Sequence, residues 1–155
     1  LSGVDGIAVG IGTTLNLHCD LTFATPRTVF RTPFVDLGLV PEAGSSLLAP
    51  LVLGRQKAFS LLALGEGFSA EQAVAAGLIH AVVEEGELEA TVLAAADAVA
   101  QKPPEALRVT RDLIRGPREP LLDRIQQESE LFRQRLKSNE ARAAFMAFMN
   151  RRKAG

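Results

Sequence analysis

The chain has 155 residues, and 47% of them are hydrophobic, so it can bury one sizeable core and we expect a single domain with at most a helical extension. Seventeen basic and eighteen acidic residues leave a formal net charge of −1. Without a long block of either sign, nucleic acid is not an expected partner. The single cysteine, Cys19, excludes an intramolecular disulfide and favours a reducing compartment, with the cytoplasm as the default.

The hydropathy of the sequence predicts no membrane-spanning segment and no membrane partner. No apolar run approaches the ~20 residues that a membrane-spanning helix needs. The first residues also lack the basic stretch followed by an apolar one that is typical of a secretion signal. We therefore expect a protein that acts in solution.

The first third of the chain predicts short strands alternating with short helices. A glycine-rich segment at 6–12 leads into a short helix at 15–19 that we expect a threonine to cap. Two short strands follow at 21–24 and 28–30, separated by a turn that contains a proline. This alternation indicates an α/β fold class.

The middle of the chain predicts three helices. Residues 44–54 favour a buried helix that bends at Pro50, and a second helix runs from about Arg55 to Leu64. Ser69 has the spacing of a capping box, and Gly77 stands where the third helix should end.

The sequence changes character near residue 85. A short predicted strand at 80–83 closes the α/β part, and we divide the chain into a core segment at 1–85 and a helical region at 86–155. The predicted helices of the second part span residues 87–101, 105–115, 120–137 and 139–153. Apolar stripes run along the last two of them and comprise Leu121, Leu122, Ile125, Leu131, Phe132, Leu136, Phe145, Met146, Phe148 and Met149. Such stripes pack against the body of the protein or against a second subunit.

Four short motifs follow one another in a fixed order along nearly the whole chain. They are Gly6-x-Ala8-x-Gly10-x-Gly12, Leu15-x-Leu17-x-Cys19-Asp20, Phe30-x-x-Pro33-x-x-x-Leu37-Gly38-x-x-Pro41-x-x-Gly44 and Ala73-x-x-Ala76-Gly77-Leu78-Ile79. Together they resemble the crotonase (enoyl-CoA hydratase/isomerase) superfamily. The resemblance implies the C-terminal portion of a crotonase-like (ClpP/crotonase) α/β fold, with a helical region for trimerisation. The sequence starts at Leu1 without the family's N-terminal portion, so we interpret it as a fragment or a processed chain.

Two positions separate this chain from the hydratases that it resembles. In hydratases of the superfamily one glutamate stands at the position of Thr14 and a second at the position of Phe34, and neither acid is present here. Hydration needs one carboxylate to deprotonate water and another to supply a proton to the α-carbon. The resemblance therefore predicts a poor hydratase.

One acid, Glu42, carries the predicted chemistry instead. The segment from Phe34 to Ser46 is similar to the peroxisomal-type Δ3,Δ2-enoyl-CoA isomerases, whose single catalytic glutamate stands at the position of Glu42. This implies isomerisation of a 3-enoyl-CoA to a 2-enoyl-CoA, in keeping with fatty-acid β-oxidation, with the Ile11 backbone N–H as one oxyanion donor. The implied substrate pocket is formed by Gly10, Phe34, Leu37 and Leu39. The resemblance implies no metal and no cofactor, because coenzyme A is part of the acyl-CoA substrate.

Other readings of these residues stay open. Taken alone, a glutamate after a proline is more often a partner of a helix N-terminus, and the glycines at 6–12 can serve a tight turn only. Asp36 is the second choice for a general acid, in a thioester hydrolase or a weak hydratase of the same fold. A third possibility is a catalytically silent subunit that binds acyl-CoA.

The remaining polar residues are interpreted as structural. His18 and His80 lack a paired nucleophile, and Ser45 and Ser46 stand where helix capping explains them. We expect Cys19 in the core and Asp20 as a hydrogen-bonding residue at a helix end. The basic run Arg151-Arg152-Lys153 suits either CoA phosphates or a solvated helix end.

The resemblance also implies an assembly. Members of the superfamily form trimers or dimers of trimers through their C-terminal helices, so a homo-oligomer is expected. The last three residues, Lys153-Ala154-Gly155, do not match a peroxisomal address, which favours a cytoplasmic protein.

Overall fold

The computed structural model describes residues 1–153, and the side chains of residues 1–150. Within that part of the chain the strands are β1 Ser2–Val4, β2 Ile7–Val9, β3 Thr22–Ala24, β4 Val29–Arg31, β5 Phe68–Ser69 and β6 Ala81–Val82. The α-helices are α1 Ile11–Thr14, α2 Ser45–Leu62, α3 Ala70–Ala76, α4 Leu88–Ala100, α5 Pro104–Arg115, α6 Glu119–Leu136 and α7 Asn139–Lys153. Short 3-10 turns span Leu15–His18, Val35–Leu37 and Glu85–Glu87.

The strands form two small sheets of three strands each. One sheet has the order β1-β3-β6 with parallel pairing throughout, and Gly3 is opposite Phe23. In the other, β2-β4-β5, the first pair is parallel, with Ala8 opposite Phe30, and the second is antiparallel. Because β2 and β4 are parallel neighbours, the segments that follow them leave from the same edge of the sheet. The Gly10 N–H accordingly donates to the Arg31 carbonyl at 2.9 Å.

The core lies between the second sheet and α2. Phe30 and Leu61 are its largest fully buried apolar side chains, and Phe34 and Phe68 are buried beside them. Small side chains complete the core, and among the fully buried ones are Ala24, Ala49 and Ala70. Burial of this apolar surface is the main stabilising contribution to the fold.

The bend in α2 lies at a different residue from the one predicted. The helix passes through Pro50, where a bend was expected, and its geometry is interrupted at Gly54, with φ 74° and ψ 162°. A residue with a Cβ rarely adopts that conformation, so the glycine is the point at which the chain can change direction. The predicted boundary between two helical segments before Arg55 is thus confirmed, although the second segment ends at Leu62 rather than Leu64.

The first helix also differs from the prediction. An unpredicted α-helical turn begins at Ile11, with Gly10 as its N-cap at φ 59° and ψ −120°, and the helix predicted at 15–19 follows it as the 3-10 turn Leu15–His18. Thr13 and Thr14 are fully buried within the helix and do not cap it, since Thr13 Oγ1 donates to the Ala8 carbonyl at 2.7 Å. The glycine permits a conformation that brings the helix start directly after β2.

The third helix follows the prediction. Ser69 Oγ accepts a hydrogen bond from the Gln72 N–H at 3.2 Å, and Gln72 Oε1 accepts one from the Ser69 N–H at 2.9 Å. This is the capping box that the sequence indicates, and Gly77 ends the helix in the left-handed region.

The C-terminal helices pack around the sheets. Helix α4 covers β1 and β3, α6 packs against α2, and α7 packs against the 3-10 turn Val35–Leu37. Several apolar side chains of these helices are exposed on the single chain, namely Leu113, Ile114, Leu122, Leu131, Leu136, Phe145, Met146, Phe148 and Met149. No helix in the described part of the chain is both long and apolar enough to cross a membrane. The division at residue 85 falls in a 3-10 turn and stays a prediction.

Gly38 is the point where α7 meets the body, and its substitution should be costly. It has φ 69°, and a Cβ there would lie 2.7 Å from the Ala141 backbone nitrogen. We predict that Gly38→Ala lowers the free energy of unfolding by about 2–4 kcal/mol, because backbone strain and overlap add. Gly77→Ala is the matched control, since its φ is 81° but the Cβ would make an ordinary contact. Denaturant unfolding showing equal losses for both variants would contradict this account.

An ion pair near the first sheet should give the stability a pH dependence. A hydrogen bond from Arg27, assisted by one from Thr25, lowers the pKa of Asp5 from 3.8 to about 2. Because the pKa is lower in the folded state, the stabilisation is complete above about pH 3.8 and is lost as the pH falls through about 2. We predict that Arg27→Met reduces the pH dependence of unfolding between pH 4 and pH 2. An unchanged slope in this interval would show that the pair is not responsible.

Candidate functional site

A cavity of about 580 Å³ opens where the segments after β2 and β4 meet helix α6. Its wall is predominantly apolar, and it is lined by Val9, Gly10, Ile11, Pro33, Phe34, Leu37, Leu39, Glu42, Ser129, Phe132 and Arg133. The cavity therefore brings together all six residues that were expected to form a site, from Gly10 to Glu42. A cavity of this size and lining is typical of a small-molecule site.

The glycine segment supplies the backbone of one wall. Gly10 turns the chain between β2 and α1, and its carbonyl accepts the N–H groups of Thr13 and Thr14 at 2.9 and 3.0 Å. Within the described residues, the Ile11 N–H has no protein acceptor. A backbone donor left unpaired beside a cavity can bind an oxygen of a ligand.

Glu42 is the carboxylate that lines the cavity. Its side chain is half-buried, and its Oε1 lies 2.6 Å from the hydroxyl of Thr14, which is fully buried. The Thr14 hydroxyl also lies 3.4 Å from the Gly10 carbonyl, but its single proton is better placed in the short bond to the carboxylate. No other protein donor reaches the Glu42 carboxylate among the described residues. One oxygen is thus oriented by α1, and the other stays available for proton transfer.

The residue after Glu42 has an unusual backbone. Ala43 has φ 57°, the only positive value of a non-glycine residue in the described chain. His18 Nε2 lies 2.6 Å from the Ala43 carbonyl oxygen and donates to it in the tautomer that protonates this nitrogen. A left-handed conformation at alanine costs about 1–2 kcal/mol, so the surrounding contacts have to stabilise it.

A second glutamate, Glu128 of α6, binds the start of α2. Its side chain is only 4% exposed, and its Oε2 and Oε1 accept the backbone N–H groups of Gly44 and Ser46 at 2.6 and 2.9 Å. These N–H groups belong to the first turn of a helix, where no intrahelical acceptor is available. The cap therefore comes from a residue more than 80 positions along the chain.

This arrangement corrects the interpretation of the two serines. Ser45 and Ser46 were expected to cap α2, but neither side chain does so. Ser45 Oγ donates to the Glu42 carbonyl at 2.6 Å, and Ser46 Oγ accepts from Arg124 Nη1 at 3.0 Å. Because Glu128 already occupies the N–H groups, the hydroxyls bind elsewhere.

The two histidines lie outside any nucleophile pair in the described part of the chain. His18 binds a backbone carbonyl, and the His80 ring packs edge-on against Phe23 with the centroids 5.4 Å apart. Neither lies next to a hydroxyl or thiol in a hydrogen bond. The placement agrees with a structural role for both residues.

Asp36 and Asp20 both form ion pairs with arginines. Asp36 is exposed, lies 3.4 Å from Arg31 and does not line the cavity. Asp20 binds Arg111 and Arg115 of α5; burial alone would raise the pKa of Asp20, but the hydrogen bonds from the two arginines lower it below its usual value. Asp36 is therefore not placed to act as an acid at this site.

A second cavity, of about 380 Å³, lies beside the 3-10 turn Leu15–His18. Its lining includes Cys19, which is half-buried, together with Asp20 and His80. Its one lining carboxylate is already paired with arginines, so we assign it no chemistry. Among the described residues there is no cluster of three His, Cys, Asp or Glu side chains that could hold a metal ion.

Sequence reasoning missed the contribution of α6. Leu121, Ile125, Glu128 and Phe132 follow one another at helical spacings of four, three and four residues. A glutamate within such an apolar stripe is the signal that could have identified a buried carboxylate. Ser129 and Arg133 lie on the adjacent face and line the cavity. The side chains of Arg151-Arg152-Lys153, considered for CoA phosphates, lie outside the described side chains.

Comparison with known proteins assigns this architecture to one family. The chain matches the family described as enoyl-CoA hydratase/isomerase over residues 1–155. A solved structure of an enoyl-CoA hydratase/isomerase from Pseudoalteromonas atlantica T6c superposes with a TM-score of 0.92 and 38% sequence identity. The match covers 96% of this chain and 60% of that chain. The expected crotonase-type α/β fold is thereby confirmed.

Curated relatives include both an isomerase and a hydratase. Enoyl-CoA delta isomerase 2 of Rattus norvegicus is 36% identical over 150 residues, which are 96% of this chain and 38% of that protein. Short-chain-enoyl-CoA hydratase of Clostridium acetobutylicum is 28% identical over 154 residues, which are 99% of this chain and 59% of that protein. The chain thus spans between about two fifths and three fifths of the length of these relatives.

The bond between Thr14 and Glu42 should contribute to stability. Thr14→Val keeps the shape of a fully buried side chain but leaves Glu42 Oε1 without this donor. We predict that it lowers the free energy of unfolding by about 1–3 kcal/mol, as expected for a hydrogen bond to a charged group. Thr91→Val on α4 is the control, since the Thr91 hydroxyl makes no hydrogen bond within the described chain. Equal effects in denaturant unfolding would argue against a stabilising bond.

Proposed function

The chain belongs to the enoyl-CoA hydratase/isomerase family, and from that membership we propose that its site moves the double bond of a 3-enoyl-CoA to the 2-position. The observation that carries the proposal is the lining of the cavity, in which Glu42 is the single carboxylate. One carboxylate is sufficient to shift a proton between two carbons, whereas hydration requires a second acid–base group. The substrate is an acyl-CoA thioester, and the proposed reaction needs no metal or further cofactor.

In this mechanism Glu42 acts twice. Its ionised carboxylate removes a proton from C2 of the 3-enoyl thioester, and the electrons move into a dienolate. The same carboxyl group then returns the proton to C4, so that the double bond lies between C2 and C3 and the carboxylate is regenerated. The apolar wall formed by Phe34, Leu37 and Leu39 excludes water that would compete for this proton.

The negative charge that develops on the thioester oxygen has to be stabilised by a hydrogen-bond donor. The Ile11 N–H, which has no acceptor within the described chain, is the proposed donor to the thioester oxygen. The resemblance implies that a second N–H comes from a part of the relatives that this chain does not span. For this reason the activity is proposed for the full-length protein.

The environment of Thr14 supports an isomerase over a hydratase. The resemblance puts a hydratase glutamate at this position, but the Thr14 hydroxyl is fully buried and donates to Glu42. It orients the base and cannot activate a water molecule as a carboxylate does. Phe34, at the position of the other hydratase glutamate, is buried in the wall.

Hydration is nevertheless the runner-up, because a hydratase is among the relatives at 28% identity. Asp36 is the acid that such a reaction was expected to use, and its exposed ion pair with Arg31 disfavours it. A silent subunit that binds acyl-CoA without turnover is the alternative from another class. A homo-oligomer stays a prediction, and the exposed apolar side chains of α7 favour it. The cytoplasmic location also stays a prediction.

Glu42→Gln tests the proposed function in the full-length protein. We predict that wild-type protein converts a 3-enoyl-CoA to the 2-enoyl-CoA without adding water to either, and that Glu42→Gln lowers kcat by about 10²–10⁴-fold, because the amide cannot accept the proton. Double-bond migration is followed by absorbance, and water addition by product mass. Glu89→Gln, on the exposed part of α4, is the matched control.

The other outcomes separate the alternatives. Hydration that survives Glu42→Gln would show that the chemistry lies elsewhere. Tight binding of acyl-CoA by wild-type protein without turnover of either substrate would identify a silent binding subunit.

A further inference from the structure

We propose that Glu128 is a positioning residue for Glu42, an inference that rests on the function proposed above. Glu128 lies on α6, does not line the cavity and is 4% exposed. Both of its carboxylate oxygens bind the turn that carries Glu42, through the N–H groups of Gly44 and Ser46. It acts on the base through the backbone and does not touch the substrate.

The bonding of the turn shows how this influence reaches Glu42. The Ser45 N–H donates to the Glu42 carbonyl at 3.0 Å, and Ser45 Oγ donates to the same oxygen at 2.6 Å. The two N–H groups bound by Glu128 flank Ser45 in the sequence. Fixing both of them fixes the peptide units between them, and with those the Glu42 carbonyl.

The negative charge of the Glu128 carboxylate favours its position at the start of α2. Within the described chain its carboxylate has no arginine or lysine partner, and both oxygens accept backbone N–H groups at the start of α2. A helix N-terminus carries a partial positive charge that favours a carboxylate. A buried carboxylate bound in this way holds a geometry that a water-exposed cap does not.

Close packing leaves the turn little freedom. Gly44 has φ 73°, and a Cβ on it would overlap Leu121 of α6 and come within 3.2 Å of Ile125. One helical turn beyond Glu128, Phe132 of the same helix lines the cavity. Helix α6 therefore sets both the orientation of the base and one wall of the cavity.

This geometry predicts a change in kcat without a change in acyl-CoA binding. In Glu128→Gln an amide group replaces one acceptor and faces a backbone N–H, so one of the two bonds is lost. The turn that carries Glu42 then shifts, while the apolar wall is unchanged. Misplacement of a reacting group by about 1 Å lowers the rate by up to ~10²-fold.

The test uses the full-length protein as wild type, Glu128→Gln, Arg124→Met and Glu42→Gln. Arg124 is the matched control, because it lies one turn before Glu128 on α6 and donates to the Ser46 side chain instead of accepting from the turn. For isomerisation of a 3-enoyl-CoA we expect Glu128→Gln to lower kcat by about 10–10²-fold. The dissociation constant for decanoyl-CoA, which cannot isomerise, should stay at the wild-type value, and Arg124→Met should retain wild-type kcat.

A second readout does not depend on turnover. Amide hydrogen exchange in residues 42–46 should increase in Glu128→Gln and stay at the wild-type rate in Arg124→Met. If Glu128→Gln does not fold, Glu128→Asp replaces it, and we expect a kcat between those of the wild type and Glu42→Gln with unchanged decanoyl-CoA binding. The shorter side chain keeps the charge but cannot reach both N–H groups at their present distances.

Three results would overturn the inference. They are an unchanged kcat with unchanged exchange in the Glu128 variant, an equal loss of kcat in Arg124→Met, and a loss of decanoyl-CoA binding that accounts for the change in rate. Failure of the proposed function looks different, because the wild type would then be inactive or Glu42→Gln would be active. In that case the exchange readout still decides whether Glu128 holds the turn.

Discussion

The structure depends on one constraint, which is that a carboxylate beside an apolar cavity has to be oriented by hydrogen bonds rather than by water. The buried hydroxyl of Thr14 donates a hydrogen bond to the Glu42 carboxylate. The buried carboxylate of Glu128 accepts hydrogen bonds from backbone N–H groups of the turn that carries Glu42. These two contacts join α1, α2 and α6, which are far apart in the sequence. The left-handed Ala43 and the close packing of α6 on Gly44 belong to the same turn, between Glu42 and the start of α2.

Local signals in the sequence were sufficient for much of the fold. The capping box at Ser69 and the glycine at Gly77 define both ends of α3 within a single short segment, and the structure confirms both. The bend in α2 was assigned to Pro50 because proline interrupts helices in general. The helix instead bends at Gly54, since a glycine is the residue that can adopt φ 74° with ψ 162°. Which of two candidate breakers acts is decided by packing, and local sequence does not contain that information.

The candidate site was predictable in part, and mainly through the resemblance. Residues 10, 11, 34, 37, 39 and 42 belong to two motifs, and the parallel pairing of β2 with β4 brings those motifs to one edge of a sheet. The contribution of α6 was not predicted. Glu128 binds residues that precede it by 82 and 84 positions, and no local rule relates such positions. The sequence indicates the burial of Glu128 only by placing a charged residue within an apolar stripe of a helix. Such a stripe does not show which backbone groups the carboxylate binds.

The fate of the proton tests the central claim most directly, because a single shielded carboxylate should deliver to C4 the hydrogen that it removes from C2. A 3-enoyl-CoA with deuterium at C2 would be isomerised by the full-length protein in ordinary water, and the product examined by NMR. We expect a substantial fraction of the transferred deuterium at C4 of the 2-enoyl-CoA. Complete replacement by solvent hydrogen at C4, together with a hydrated product, would contradict a single-base mechanism at Glu42.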